Sequence, residues 1–368
     1  MQAHIADVST VELYGHGALR ARLADAAARG ALPASLLLHG PRGVGKQRLA
    51  LWLGGTLLCS AEDTRPCGAC ASCRYVAHLT HPDLRWVFPR PRLKDAADSL
   101  TEVVQDYADA IAERVQGGLL YPPAAGTEAI YAATARALIQ FAAMTPAVAR
   151  RKVIVIGDAE RLVPQEGAEV AANAALKLLE EPPADTVIIL TSSEPGALLP
   201  TIRSRLVAIR VAPLSEGEVA AFVRDPAVRA ALDERGLPGT EAERVRLARG
   251  APGNLFGAKP DALSAARALL DAATSGHASD RYRIAVAQGT AGARGAFTDT
   301  LDALTTILGA RTADAVQRQD LRGARAATQA VAAVEAAKAR AARNGSPQLI
   351  AASLLRALAP VGVGERAA

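Results

Sequence analysis

Several things are scarce in this sequence, and each scarcity removes a class of protein. No apolar run approaches the roughly 18 residues a membrane span requires, so no transmembrane helix is expected. The first residues carry Asp7 and Glu12 and no apolar h-region, so no signal peptide is read there, and the cytoplasm is the expected compartment. Only four cysteines occur in 368 residues, which excludes a disulfide framework spread along the chain. Charge of one sign is in small excess: 42 basic residues against 37 acidic ones, net +5. That balance permits contact with nucleic acid without requiring it. No fixed-period repeat is present, so a solenoid is not expected.

What is present is length for two or three domains and a hydrophobic half suited to a globular core. Through residue 212 strand-like and helix-like segments alternate. "GALRARLADAAARG" has helical spacing and ends on Gly30, which suits a helix C-terminus. "SLLLH" reads as a short buried strand and "VGKQRLALWLGGTLL" as a helix. "KVIVI" and "TVIILTS" are unbroken apolar runs rich in β-branched residues, as parallel strands covered on both faces should be. "EGAEVAANAALKLLEE" between them reads as a helix stopped by Pro182-Pro183, and "LVAIRV" supplies another strand. Such alternation indicates a parallel α/β sheet. A segment over about 92–128, opening with a capping-box pattern from Ser99 to Glu102, reads as an inserted amphipathic helix. After Val211 the pattern becomes helical, with a second capping box from Ser215 to Glu218 and long alanine-rich stretches beyond Asp261. The expected organisation is an α/β domain over 1–212, a small helical domain over 213–260 and a helical domain over 261–368.

The first constellation is a phosphate loop, G-x4-G-K, containing Gly40, Gly43, Gly45 and Lys46. With a strand before it and a helix after it, backbone N–H groups and a helix N-terminus converge where phosphates would lie. A tight strand–helix turn without a ligand would carry the same glycines. The pattern then breaks. Gln47 stands where a Ser or Thr hydroxyl normally ligates magnesium, and Gly157 stands at the end of "KVIVI" where an aspartate completes the magnesium shell. Asp158, one residue on, points to the opposite side of the strand. Nucleotide binding through Lys46 and the loop amides is compatible with these losses; hydrolysis is not expected.

The second constellation is "CSAEDTRPCGACASC", with Cys59, Cys67, Cys70 and Cys73. Four thiolates at this spacing suit one closed, structural, tetrahedral zinc site. An iron–sulfur cluster uses a similar triplet but places its fourth cysteine downstream. His78 and His81 are spare ligands should Cys59 not serve. Aromatic-and-basic clusters are lacking around the cysteines, which argues against a stand-alone zinc-containing nucleic-acid-binding protein. The third constellation, "TIRSR", places Arg203 and Arg205 just before a strand, where a solvated pair at a helix C-terminus is the plain reading.

Taken in order, the phosphate loop, the four-cysteine insertion, "HPDLRWVFP", "ANAALKLLEEPP", "LTSSEP" and "TIRSR" resemble the bacterial clamp-loader AAA+ proteins of DNA polymerase III. The resemblance covers roughly residues 10 to 256, and "SPQLIAASLLRAL" is similar to the family's last collar helix. It implies an AAA+ P-loop sheet domain with a zinc module at about 59–73, a small helical lid and a C-terminal helical collar. Losses at Gln47 and Gly157 place the chain nearer the delta-prime branch than the ATP-hydrolysing gamma/tau branch, which remains the alternative. The resemblance implies a non-hydrolysing stator in a hetero-oligomeric ring with gamma/tau and delta subunits, acting on a sliding clamp and primed DNA. It also implies that Arg205 serves in trans as an arginine finger. Two departures stand out: Ser204-Arg205-Leu206 replaces the family's S-R-C, and Asn254 occupies a position where a lid arginine senses phosphate.

Overall fold

The protein is described by a computed structural model over residues 10–62, 64–92, 100–122, 124, 128–162, 178–237, 239–257, 259–275, 277–288, 294–342 and 345–359. The chain forms two compact units. The first comprises residues 1–229 with 250–256, the second 230–249 with 257–368.

The first unit is built on five parallel strands: β1 Ser35–His39, β2 Leu84–Val87, β3 Lys152–Ile156, β4 Thr186–Ser192 and β5 Val207–Arg210. Their spatial order is β2-β3-β4-β1-β5, the AAA+ P-loop arrangement. The apolar runs explain the centre of the sheet. Val153, Ile154 and Val155 in β3 and Ile188, Ile189 and Leu190 in β4 have no solvent exposure, because helices cover both faces. β1 sits between β4 and β5, with Leu37 opposite Leu190 on one side and Ala208 on the other. The carboxyl ends of β1, β3 and β4 therefore lie side by side. Open parallel sheets bind ligands at that edge.

Helix α1 (Gly17–Ala28) ends as its sequence predicts: Gly30 takes φ +65°, and Ala31 N–H closes onto Ala26 C=O at 2.9 Å. Helix α2 (Lys46–Leu58) follows the phosphate loop and is buried along most of its length. Helix α3 (Ala71–Ala77) belongs to the cysteine segment. Between β2 and β3 lie α4 (Leu100–Gln116) and α5 (Ala132–Ala143), packed on each other. The capping box expected at Ser99 lies outside the described residues. So does the helix expected over 166–181, apart from 178–181. Ser215 and Glu218 form the reciprocal capping box that their spacing predicts, opening the helix Glu216–Arg224.

The second unit is helical among its described residues. Helices Pro260–Thr274, Arg294–Gln317, Leu321–Ala342 and Pro347–Leu358 pack on one another. Their shared interior holds Leu269, Leu301, Leu304, Leu308, Val334 and Leu354, each at most 1% exposed. Lys338 reaches Asp302 at 2.8 Å across two of these helices. None of the described helices is long and apolar enough to cross a membrane.

Candidate functional site: a phosphate loop and a four-thiol cluster

The phosphate loop leaves β1 at Gly40 and enters α2 at Lys46. Gly43 and Gly45 have φ values of +78° and +96°, which side-chain-bearing residues rarely adopt, and a Cβ at Gly40 would collide with the Val211 carbonyl. All four predicted loop residues therefore sit together as expected. The loop is held from outside by its own unit: Gly253 N–H donates to Gly43 C=O at 2.8 Å. The Asn254 side chain lies against Gly43, leaving no room for a larger residue at 43.

Lys46 is turned inward. Its ammonium donates to the carbonyls of Gly40 and Pro41 at 3.0 and 2.8 Å and to Ser193 Oγ at 2.9 Å. Burial pushes its pKa down to about 8, against the opposing pull of Asp158 and Glu160. Ser193, just after β4, lies in the "LTSSEP" stretch, but only its position in the sheet brings it to the lysine.

The two positions that break the magnesium pattern prove to be neighbours. Gln47 Oε1 accepts from Trp86 Nε1 at 3.0 Å, and its Nε2 donates to Asp158 Oδ2 at 3.1 Å. A Cβ at Gly157 would collide with the Gln47 amide. Asp158 has φ +47°, and burial, then the nearby Glu160, raises its carboxyl above the usual range. The loop thus presents amides and a lysine suited to phosphate, while the place for a magnesium-binding hydroxyl and acid is filled by one amide side chain.

The loop borders a cavity of about 130 Å³ whose walls include Tyr14, Val44, Lys46, Leu120, Tyr121 and Phe256. Leu120 and Tyr121 come from the segment between β2 and β3, which sequence reasoning did not connect with the loop. Trp86, in β2, was also missed. Its four-residue strand contains Arg85 and carries too short a pattern to read.

The four cysteines meet as their spacing predicts. Their sulfur atoms all lie within 4.8 Å of one another, Cys59 to Cys70 and Cys67 to Cys73 at 3.9 Å. A tetrahedral zinc–thiolate site with Zn–S of about 2.3 Å needs sulfur–sulfur edges of about 3.8 Å. The fit extends to the second layer: backbone N–H groups of Cys67, Cys70 and Cys73 point at the sulfurs of Cys59, Cys67 and Cys70, each at 3.4 Å. Against the desolvation of burial, hydrogen bonds from Ser60 and Cys73 pull the Cys70 thiol down to about 5, while burial pushes Cys73 up to about 12. The cluster can hold one metal ion and leaves no protein ligand to spare. His81 lies outside it, its Nδ1 accepting from Asp83 N–H at 3.0 Å.

Arg203 ends the short helix Pro200–Arg203, Arg205 follows it, and both precede β5. Both are exposed. The trans role that the resemblance implies would have Arg205 reach outward. Instead its guanidinium pairs with Glu180 at 2.6 Å and donates to Thr201 C=O at 2.6 Å.

Comparison with known proteins agrees with this arrangement. The family model described as "DNA polymerase III, delta subunit" matches residues 15–215, more than half of the chain. DNA polymerase III subunit delta' of Pseudomonas aeruginosa is 34% identical over 172 residues, 46% of this chain and 40% of that protein. The delta' subunit of Bacillus subtilis is 28% identical over 178 residues, 48% and 42% of the two chains. The gamma/tau subunit of Mycobacterium tuberculosis is 29% identical over 198 residues, 54% and 27%. The chain thus spans less than half the length of these curated relatives. The matched region contains the sheet, the phosphate loop and the four thiols, and by that match this chain belongs to the DNA polymerase III delta subunit family of clamp-loader proteins.

Proposed function

We propose that this chain is a delta-prime-like subunit of a DNA polymerase III clamp loader, a non-hydrolysing member of a hetero-oligomeric ring with gamma/tau-type and delta-type subunits. The ring would load a sliding clamp onto primed DNA. In this reading the lid comprises residues 213–260 and the collar 261–368, and the four cysteines bind a structural zinc ion. The observation that carries the reading is the Gln47 amide, held by Trp86 and Asp158 in the space that a side chain at 157 would need. Neither position can complete a magnesium shell, so phosphoryl chemistry belongs to a neighbouring subunit's site.

Arg205 is the residue proposed to act there. A guanidinium aimed across a subunit interface neutralises charge developing on a phosphoryl group without a nucleotide in its own subunit. Its present partner does not prevent this. Arg205 is 35% exposed and Glu180 44%, and an exposed ion pair is worth about 0–1 kcal/mol, so a phosphate can displace it. The test is reconstitution of the ring with Arg205→Ala or Arg203→Ala. The Arg205 variant should assemble and keep its metal but lower DNA- and clamp-stimulated ATP hydrolysis, while the Arg203 variant should not. Equal hydrolysis by both and by the wild type rejects the role.

A further inference from the structure

The segment between β2 and β3 is a closed excursion. Arg90 and Ala129 exchange both backbone hydrogen bonds at 3.0 Å just beyond β2, so the stretch between them begins and ends at one point. Arg90 then forks onto Asp106 at 2.9 and 2.8 Å, and the Tyr107 hydroxyl donates to Phe88 C=O at 2.8 Å. These contacts hold α4 over the end of β2. Near the end of α4, Arg114 is packed among aromatic rings, 3.3 Å from the centre of Phe88, 4.1 Å from Tyr121 and 5.0 Å from Trp86.

The turn after α4 aims the chain at the phosphate loop. Gly118 and Leu119 take φ +64° and +61°, and Leu119, Leu120 and Tyr121 then join the wall of the loop cavity. Three elements around that cavity are tied to this excursion. Val11 N–H donates to Gly118 C=O at 3.2 Å. Arg42, within the phosphate loop, donates to Ala124 C=O at 2.5 Å. Arg161, beyond β3, donates to Ala124 and Glu128 carbonyls at 3.4 and 2.9 Å.

We propose that residues 118–121, anchored onward through Ala124, are a tethered wall of the phosphate-loop cavity, narrowing it to about 130 Å³ from within the chain and keeping nucleotide out. Gln47 is part of the same device. Its carbonyl accepts from Trp86, whose ring lies 5.8 Å from Tyr121 and beside Arg114. A serine or threonine at 47 is too short to make that bond. The residue that breaks the magnesium pattern is therefore the one that fixes the Trp86 ring of β2, against which Arg114 and Tyr121 of the excursion pack, and the loss of magnesium chemistry and the presence of the insertion are a single adaptation. The inference concerns the isolated chain and does not depend on the assembly proposed above.

A wall that moves aside only a small fraction of the time weakens apparent ligand affinity by that fraction. The test is equilibrium titration of a fluorescent ADP analogue, without magnesium, into three proteins. These are the full chain, a chain with residues 93–127 replaced by a short Gly-Ser linker from Arg92 to Glu128, and the Leu120→Ala/Tyr121→Ala double variant. Both altered proteins should bind the analogue at least about tenfold more tightly than the full chain. Circular dichroism verifies that each is folded. If the shortened chain does not fold, the double variant decides alone, because it replaces no residue of the sheet or of the phosphate loop. Affinity in the folded variants no greater than in the full chain overturns the proposal.

Discussion

Gln47 and Gly157 are complementary in shape: the amide of one occupies the volume that any side chain on the other would require. The two departures from a magnesium-binding pattern, 110 positions apart in the sequence, form one contact in the fold. Gly157→Asp alone should overpack this point and destabilise the protein by about 1–3 kcal/mol. Combined with Gln47→Thr, which vacates the space, the same change should cost less than the two single effects added, with a coupling on the order of 1 kcal/mol. Chemical denaturation of the four proteins measures the cycle. Strict additivity would show that the two sites do not share the space.

The four thiols predict metal content. Protein purified without chelator should carry about one zinc ion per chain. Cys73→Ser should lose the ion and unfold at lower temperature, since structural metal sites contribute directly to folding. Iron in place of zinc, or no metal with four freely titrating thiols, contradicts the structural-zinc reading.

Lys46 gives stability a pH signature. Burial lowers its pKa from 10.5 to about 8. Between those values the unfolded chain binds more protons than the folded one, so this contribution to stability rises with pH through the window and is lost as pH falls through about 8. Lys46→Met removes the group. The stability of the variant relative to wild type should therefore be most favourable near about pH 7 and decline toward about pH 10.5. A difference that stays flat over that range means Lys46 keeps an ordinary pKa.

Asp83 predicts a large structural effect far from the phosphate loop. Its carboxylate accepts backbone N–H groups from Ala147, Val148 and Ala149 at 2.6, 2.8 and 2.7 Å, fixing the turn that leads into β3. These bonds outweigh the desolvation of burial and hold the carboxyl below its usual range. Asp83→Ala leaves those donors without a partner and should cost on the order of 3 kcal/mol. Thermal unfolding checks it. A loss near zero would mean that water replaces the carboxylate.

The sheet was largely legible in the sequence because its central strands are buried on both faces. "KVIVI" and "TVIILTS" admit few other readings at that length, and each became a strand with the expected bounds. The phosphate loop and the thiol cluster were legible because their chemistry depends on local spacing. β2 was not, since four residues are too few to establish a period. The meeting of Ser193 with Lys46 became visible only through strand order, which sets the end of β4 beside the loop. Arg114, Tyr121 and Trp86 were hidden for a related reason. Their meeting is decided by a turn with two positive φ values, and Leu119 at one of them gives no sign in the sequence of that conformation. The pairing of Arg205 with Glu180 joins residues 25 positions apart, and neither residue type specifies the other.

The paired backbone of Arg90 and Ala129 makes the sheet indifferent to the length of chain between them. Residues can be gained or lost there without shifting the register of β2 against β3, because the two ends of the excursion already meet. The cavity beside Lys46 has no such immunity, since the excursion supplies part of its wall. A single hairpin junction thus separates two evolutionary variables: the architecture of the unit is inherited through the strands, while its dependence on a ligand is free to change with the length of one loop.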